Sequence, residues 1–254
     1  MTDYFQAKQH LLALDFDGVV IDSIQECLLN GYNAYARFSN GTPASQFDDL
    51  PSTWLAEARR RRNFIRNGED YVFIAHSIHQ NAAINDQADF DAFVERHRDL
   101  RSHFFDLIYR QRLDFSAQTP ELWGTLNPLY PEMGDFLRGY SDKQNLYIIT
   151  SKKLIFVEKI LSAHCIDLPA ANVMDTSRAG KRQLIEEILR ARTLPPDSFY
   201  FIDDQIDTLI KIQPTGVHLM LAAWGYNNDG QRKVAEAHGL SVISLEEFFQ
   251  MFSR

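Results

Sequence analysis

The sequence predicts an α/β protein, a doubly wound parallel sheet with an all-α segment inserted after the first strand. Three observations carry this expectation. Apolar runs of four to six residues, each ending in polar or acidic residues, recur along the chain, as strands buried on both faces of a parallel sheet require. From about residue 130 onward these runs alternate with helical patterns, the order of a doubly wound domain. Between the first run and that region, residues 24–126 contain helical periodicity and no convincing buried strand.

Taken in order, Leu11–Phe16 (LLALDF) is the first strand. Ser23–Phe38, Thr53–Phe64 and Asp70–Ala82 have helical patterns, and Phe90, Phe93, His97, Leu100, Phe104 and Leu107 recur at steps of 3 and 4. That stripe predicts one long amphipathic helix. Gly124, Pro128 and Pro131 mark the return to the α/β part. Leu146–Ile149 is the second strand and is followed by a helix over Lys152–His164. A weaker strand, Asn172–Met174, precedes a helix over Lys181–Arg192 with apolar residues at 184, 185, 188 and 189. Phe199–Ile202 and Val217–Ala222 complete the predicted strands, and a capping box of Ser244 and Glu247 opens the last helix. The expected domains are an α/β core, 1–23 and 127–254, and a helical domain, 24–126.

Composition narrows the functional classes. With 254 residues, 45% hydrophobic and 24% charged, the chain has an ordinary globular balance. No apolar run approaches the roughly 18 residues of a membrane span. The polar start, Met1 to His10, has no signal-peptide core, so a cytoplasmic protein with no membrane partner is expected. Cys27 and Cys165 stand apart and in no CxxC, which predicts free thiols and a packing role. A net charge of −8 disfavours a nucleic-acid partner. Residues 24–126 contain 11 Arg, no Lys and 15 of the 31 aromatics. Arginine grips carboxylates and phosphates in pairs, so Arg59, Arg60, Arg61, Arg62 and Arg66, the densest patch, are candidate substrate-selecting residues. His76, His79 and His97 fit core positions better than a metal site.

The chemistry-bearing residues fall at predicted strand ends, where open parallel sheets place their ligands. Asp15-Phe16-Asp17-Gly18 ends the first strand. Two carboxylates so close to a buried strand are costly unless they have a task, and Gly18 lets the backbone turn tightly beside a ligand. Thr150-Ser151-Lys152 ends the second strand, a place for a hydroxyl and backbone N–H groups to hold phosphate. Asp203, Asp204 and Asp207 follow the Phe199 strand, and Lys181 opens the helix before it. Carboxylates and hydroxyls gathered in this way make a hard-oxygen site suited to Mg²⁺, with Lys181 balancing phosphate charge.

DFDGVVIDS at 15–23 resembles the first motif of the haloacid dehalogenase superfamily, the DxDGTLxDS pattern of its phosphatases. Thr150 is similar to the second-motif hydroxyl residue, Lys181 to the third-motif lysine and FIDDQID to the acidic fourth motif. The resemblance covers 1–23 and 127–254, and it puts the helical insertion where this superfamily has its cap. Trp224-Gly225-Tyr226 adds a likeness to the phosphoglycolate-phosphatase-like group. The resemblance implies a Mg²⁺-dependent phosphatase acting on a small phosphorylated metabolite, phosphoglycolate- or sugar-phosphate-like. Asp15 would be the nucleophile and Asp17 the general acid and base. Gly18, Thr150, Ser151 and Lys181 would bind phosphate, and Asp15, Asp17 and Asp204 the metal.

The chain departs from the pattern in places. Asp203 replaces the usual Gly, Asp207 lies one position short with Thr208 after it, and Ser151 replaces a frequent Asn. Asp204 is therefore matched to the direct ligand, with Asp203 and Asp207 as helpers. Phosphomutases of the superfamily carry a His where this chain has Cys27, which ranks mutase chemistry second. A non-catalytic binding or regulatory protein on the same fold would have no chemical need for all of Asp15, Asp17, Thr150, Lys181 and Asp204. A carbon–phosphorus-cleaving relative would need a cap lysine, and residues 24–126 contain none.

Overall fold

Strands form where apolar side chains point to both sides of the backbone, because helices on each face can bury them. The computed structural model describes residues 10–253. Among these, six parallel strands form one sheet: β1 (Leu11–Leu14), β2 (Leu146–Thr150), β3 (Val173–Asp175), β4 (Phe199–Asp203), β5 (His218–Ala222) and β6 (Ser241–Ile243). Their order is β3-β2-β1-β4-β5-β6. The fold class is thus α/β, as the apolar runs imply. Central β1 is fully buried, and its Leu12 pairs with Leu146 on one side and Tyr200 on the other. From β1 the chain builds outward to β2 and β3, then returns to β1's other side for β4, β5 and β6. That reversal opens a crevice at the carboxyl ends of β1 and β4. Strand β6 is absent from the sequence expectation, since its three residues begin with an exposed Ser241 and form no apolar run.

The described residues divide into two compact units, one of 10–22 together with 129–253, the other Ser23–Pro128. The second unit is helical: α1 (Ile24–Phe38), α2 (Ser52–Arg61), α3 (Asp70–His79), α4 (Gln87–Arg96), α5 (Arg101–Gln118) and α6 (Pro120–Thr125). The single long helix expected across Phe90–Leu107 is in fact two, α4 and α5, joined by a 3₁₀ turn at Arg98–Leu100. At His97 the backbone leaves helical geometry, with φ −112° and ψ 25°. A turn this short keeps apolar residues at steps of 3 and 4, so periodicity runs through the break undetected. The unit's core holds Leu28, Phe73, Ile74, Phe90, Phe93, Phe104 and Ile108.

His76 lies within that core. Its Nδ1 is 3.3 Å from the Tyr35 hydroxyl and its Nε2 is 3.1 Å from Gln80 Nε2. Burial pushes its pKa down from 6.5 to about 4, and His97 and His79 add to the fall. The unfolded chain then binds the proton more readily, so the stability His76 contributes above pH 6.5 is lost as pH falls toward about 4. Urea unfolding across that window should show the decline in the wild-type chain and a shallower one in His76→Gln.

The remaining unit contributes α7 (Met133–Gly139), α8 (Leu154–Ala163), α9 (Lys181–Arg192), α10 (Ile206–Ile212), α11 (Asp229–Ala237) and α12 (Leu245–Phe252). Leu184, Ile185, Ile188 and Leu189 of α9 recur at helical spacing on one face and pack with Leu11, Ala13, Tyr147 and Phe201 of the sheet. Each such side chain, fully buried, stabilises by about 1.5–3 kcal/mol. Ser244 caps α12 by accepting from the Glu247 N–H, while Glu247 accepts from the Ser244 N–H. No helix among the described residues is long and apolar enough to cross a membrane.

Candidate active site

Three neighbouring strands deliver the polar residues. Asp15 follows β1, Thr150 ends β2 and Asp203 ends β4. The Asp15 N–H donates to the Ile202 carbonyl at 2.9 Å, so the first aspartate continues the β1–β4 ladder. Beyond it the chain turns sharply. Val20 and Ile21 donate their N–H groups to the Phe16 carbonyl, and Gly18 donates to Ile21. Gly18 has φ +87°, and a Cβ there would lie 2.3 Å from Asp204 Oδ2. A Cβ on Gly225 would come equally close, 2.3 Å from Asp204 Cβ. Both positions need glycine so that two loops can enclose one carboxylate.

Asp15, Asp203 and Asp204 are all buried, and each offers an oxygen within 4.8 Å of the others'. Lys181 Nζ lies 2.9 Å from Asp15 Oδ1 and 2.8 Å from Asp203 Oδ2. Asp203 Oδ1 accepts the Gln205 N–H, so both oxygens of that residue are engaged. Asp204 Oδ2 accepts the Tyr226 N–H at 2.8 Å. Burial pushes the Asp15 carboxyl up to about 8 against the pull of Lys181, and the charges of Asp203 and Asp204 add to the rise. Lys181 is itself buried, which would lower its pKa, but Asp15 and Asp203 outweigh this and raise it. Three buried carboxylates thus gather at one point, with Lys181 held against two of them. A hard divalent cation fits that donor set.

Asp17 is placed differently. Its side chain remains 22% exposed, and its Oδ1 lies 2.9 Å from Nζ of Lys152, whose own side chain is only 2% exposed. Lys152 also donates its N–H to Thr150 Oγ1 at 3.1 Å. Thr150 is buried, whereas Ser151 is exposed. Asp207 sits half-buried in the first turn of α10 and is not among the clustered carboxylates.

Two residues outside the expected set complete the loops. The Tyr226 hydroxyl donates to Asp22 Oδ1 at 2.7 Å, and Trp224 Nε1 donates to the Val19 carbonyl at 3.1 Å. The Trp-Gly-Tyr segment therefore stitches the 18–22 turn to Asp204. Asp175, at the end of β3, caps the start of α8 by accepting the Leu154 N–H.

The arginine patch is used inside the helical unit. Arg60 donates to the Ile84 carbonyl, and Arg61, buried, donates to Ser77 Oγ, Glu57 and the Ala82 carbonyl. Arg66 donates to Gln87 Oε1 and to the Asn63 and Ile65 carbonyls. Arg62 is buried over the Tyr71 ring and Arg59 lies over Phe47. A run of four on a helix spreads around its axis, about 100° per residue. Within the helical unit these arginines thus make contacts among α2, α3, α4 and the segments between them.

No family model matches the sequence, and no curated protein matches it. Solved structures do. A haloacid dehalogenase-like family hydrolase from Streptococcus pneumoniae aligns over 96% of this chain and 98% of its own, with TM-score 0.62 and 16% identity. A protein described as a predicted phosphoglycolate phosphatase from Haemophilus somnus aligns over 96% and 98%, with TM-score 0.61 and 16% identity. A protein described as a predicted phosphatase from Clostridium acetobutylicum aligns over the same shares, with TM-score 0.56 and 14% identity. With the strand order and the helices inserted after β1, these likenesses show that the chain has the haloacid dehalogenase-like fold.

Proposed function

We propose that the protein is a phosphatase that hydrolyses a small phosphorylated metabolite through a phosphoaspartyl intermediate on Asp15. One observation carries this reading. Asp15 is buried between a lysine and two further carboxylates, while Asp17, two residues on, keeps an exposed edge. The first arrangement suits a nucleophile in a closed, charged site and the second a group that exchanges protons with a leaving group and water.

In the first half-reaction an Asp15 oxygen bonds to phosphorus, the bond from phosphorus to the ester oxygen breaks, and Asp17 gives its proton to the departing alcohol. In the second, Asp17 as carboxylate takes a proton from water, which attacks phosphorus and releases Asp15. Lys181, beside Asp15, offsets charge on the phosphoryl oxygens, and Thr150 stands at the neighbouring strand end. Asp15, Asp204 and the Asp17 backbone would hold Mg²⁺, with Asp203 steadying Lys181. Once bound, the ion would neutralise developing phosphoryl charge.

The test is hydrolysis of 4-nitrophenyl phosphate and of a panel containing phosphoglycolate and neutral sugar phosphates. Activity should require Mg²⁺, vanish in excess chelator and return when the ion is restored. Full turnover in chelator refutes the metal assignment, and no turnover of any phosphate ester refutes the phosphatase.

A further inference from the structure

Lys152 lies outside the matched motif residues, yet its burial is unusual. Lysine is among the side chains least often enclosed, and enclosure needs a partner. Its neighbour Lys153 is exposed, the ordinary state for a lysine after a strand. Lys152 Nζ instead reaches Asp17 Oδ1 at 2.9 Å, with 2% of the lysine side chain exposed against 22% of the aspartate's. The ammonium thus approaches from the enclosed side and the carboxylate keeps an edge toward solvent. The lysine backbone is fixed as well, by its N–H bond to Thr150 Oγ1.

We infer that Lys152 is the positioning residue for Asp17, gripping one carboxylate oxygen so that Asp17 meets the leaving group in a fixed orientation. The inference rests on the phosphatase reading above. Losing this contact would loosen the Asp17 carboxylate, and misplacement of a proton-transfer group is expensive in rate even when the substrate binds normally. Lys152 acts through Asp17 and is not itself a catalytic residue.

The experiment compares Lys152→Met and Lys152→Gln with the wild-type protein on two esters, in Mg²⁺. Phenyl phosphate needs its leaving oxygen protonated, whereas 2,4-dinitrophenyl phosphate does not. The ratio kcat/KM reports steps through release of the alcohol, so it separates the two. Both variants should lose about 100-fold on phenyl phosphate and less than about threefold on the dinitrophenyl ester, with KM little changed. Added to Asp17→Asn, Lys152→Met should cost less than about twofold more, because its partner is already disabled. Equal losses on both esters in variants that melt cooperatively overturn the inference alone. So do additive losses in the double variant. A wild-type protein inactive on both esters overturns the phosphatase and this inference together.

Discussion

Asp15→Asn is expected to lower kcat by at least about 10³-fold, the scale seen when a covalent nucleophile is removed. An amide oxygen is a poor nucleophile and cannot form the acyl phosphate, so the first half-reaction has no substitute route. The fold should survive. In the metal-free protein, burial and the charges of Asp203 and Asp204 outweigh Lys181 and hold the Asp15 carboxyl at about 8. A carboxyl raised in this way contributes stability that is present below its unfolded value of 3.8 and is lost as pH rises through about 8. Asparagine removes that loss, so the melting temperature of the metal-free variant relative to metal-free wild type should climb between pH 4 and 8. Wild-type-like hydrolysis by a clean Asp15→Asn preparation would end the covalent mechanism.

The second large effect is on stability and lies in the helical unit. Glu26 and Arg112 are both buried, with Nε to Oε1 at 2.7 Å and Nη2 to Oε2 at 3.2 Å. Asn30 Nδ2 and Trp123 Nε1 donate to the same carboxylate at 2.8 and 3.2 Å. The cluster therefore joins α1, α5 and α6 through one charge. Burial alone would lower the Arg112 pKa, but Glu26 overcomes this and raises it. Arg112→Met keeps the volume and deletes the cation, leaving the Glu26 carboxylate enclosed without its counter-charge. Breaking a buried pair in this way costs about 3–5 kcal/mol. Adding Glu26→Gln should restore much of that, since both charges are then gone and the amide can still accept from Trp123. Urea unfolding of the two single variants and the double variant measures the coupling. Independent effects would show that the pair is only neighbourly.

These two sites differ in how openly the sequence displays them. Asp15, Asp17, Thr150, Lys181 and Asp204 each follow a short apolar run or open a helix, so a reader who finds the strands finds the residues. Glu26 and Arg112 carry no such mark. They are 86 positions apart and each looks like a surface charge on its own helix. Lys152 was equally plain, a polar residue after a strand, until its burial set it apart from Lys153. Strand β6 escaped because its pairing with β5, not its composition, makes it a strand. The arginine run is visible by density alone, while several of its partners, Ser77, the Ala82 and Ile84 carbonyls and Gln87, lie on later segments. Local pattern reveals what local chemistry determines, and contacts made across the chain stay hidden.

The position of β1 at the centre of the sheet also governs the order in which the molecule can assemble. Leu12 pairs with Leu146 and Tyr200, and the whole helical unit, Ser23–Pro128, is encoded between them. Contacts this distant in sequence form slowly, whereas helix pairs close together form early. During synthesis the helical unit is complete while β1, fully apolar over Leu11–Leu14, still lacks both neighbouring strands. An unpaired apolar strand at that stage is a site for aggregation. Substitutions in β2 or β4 that slow its capture should therefore appear first as poor soluble yield, before any deficit is seen in the finished protein.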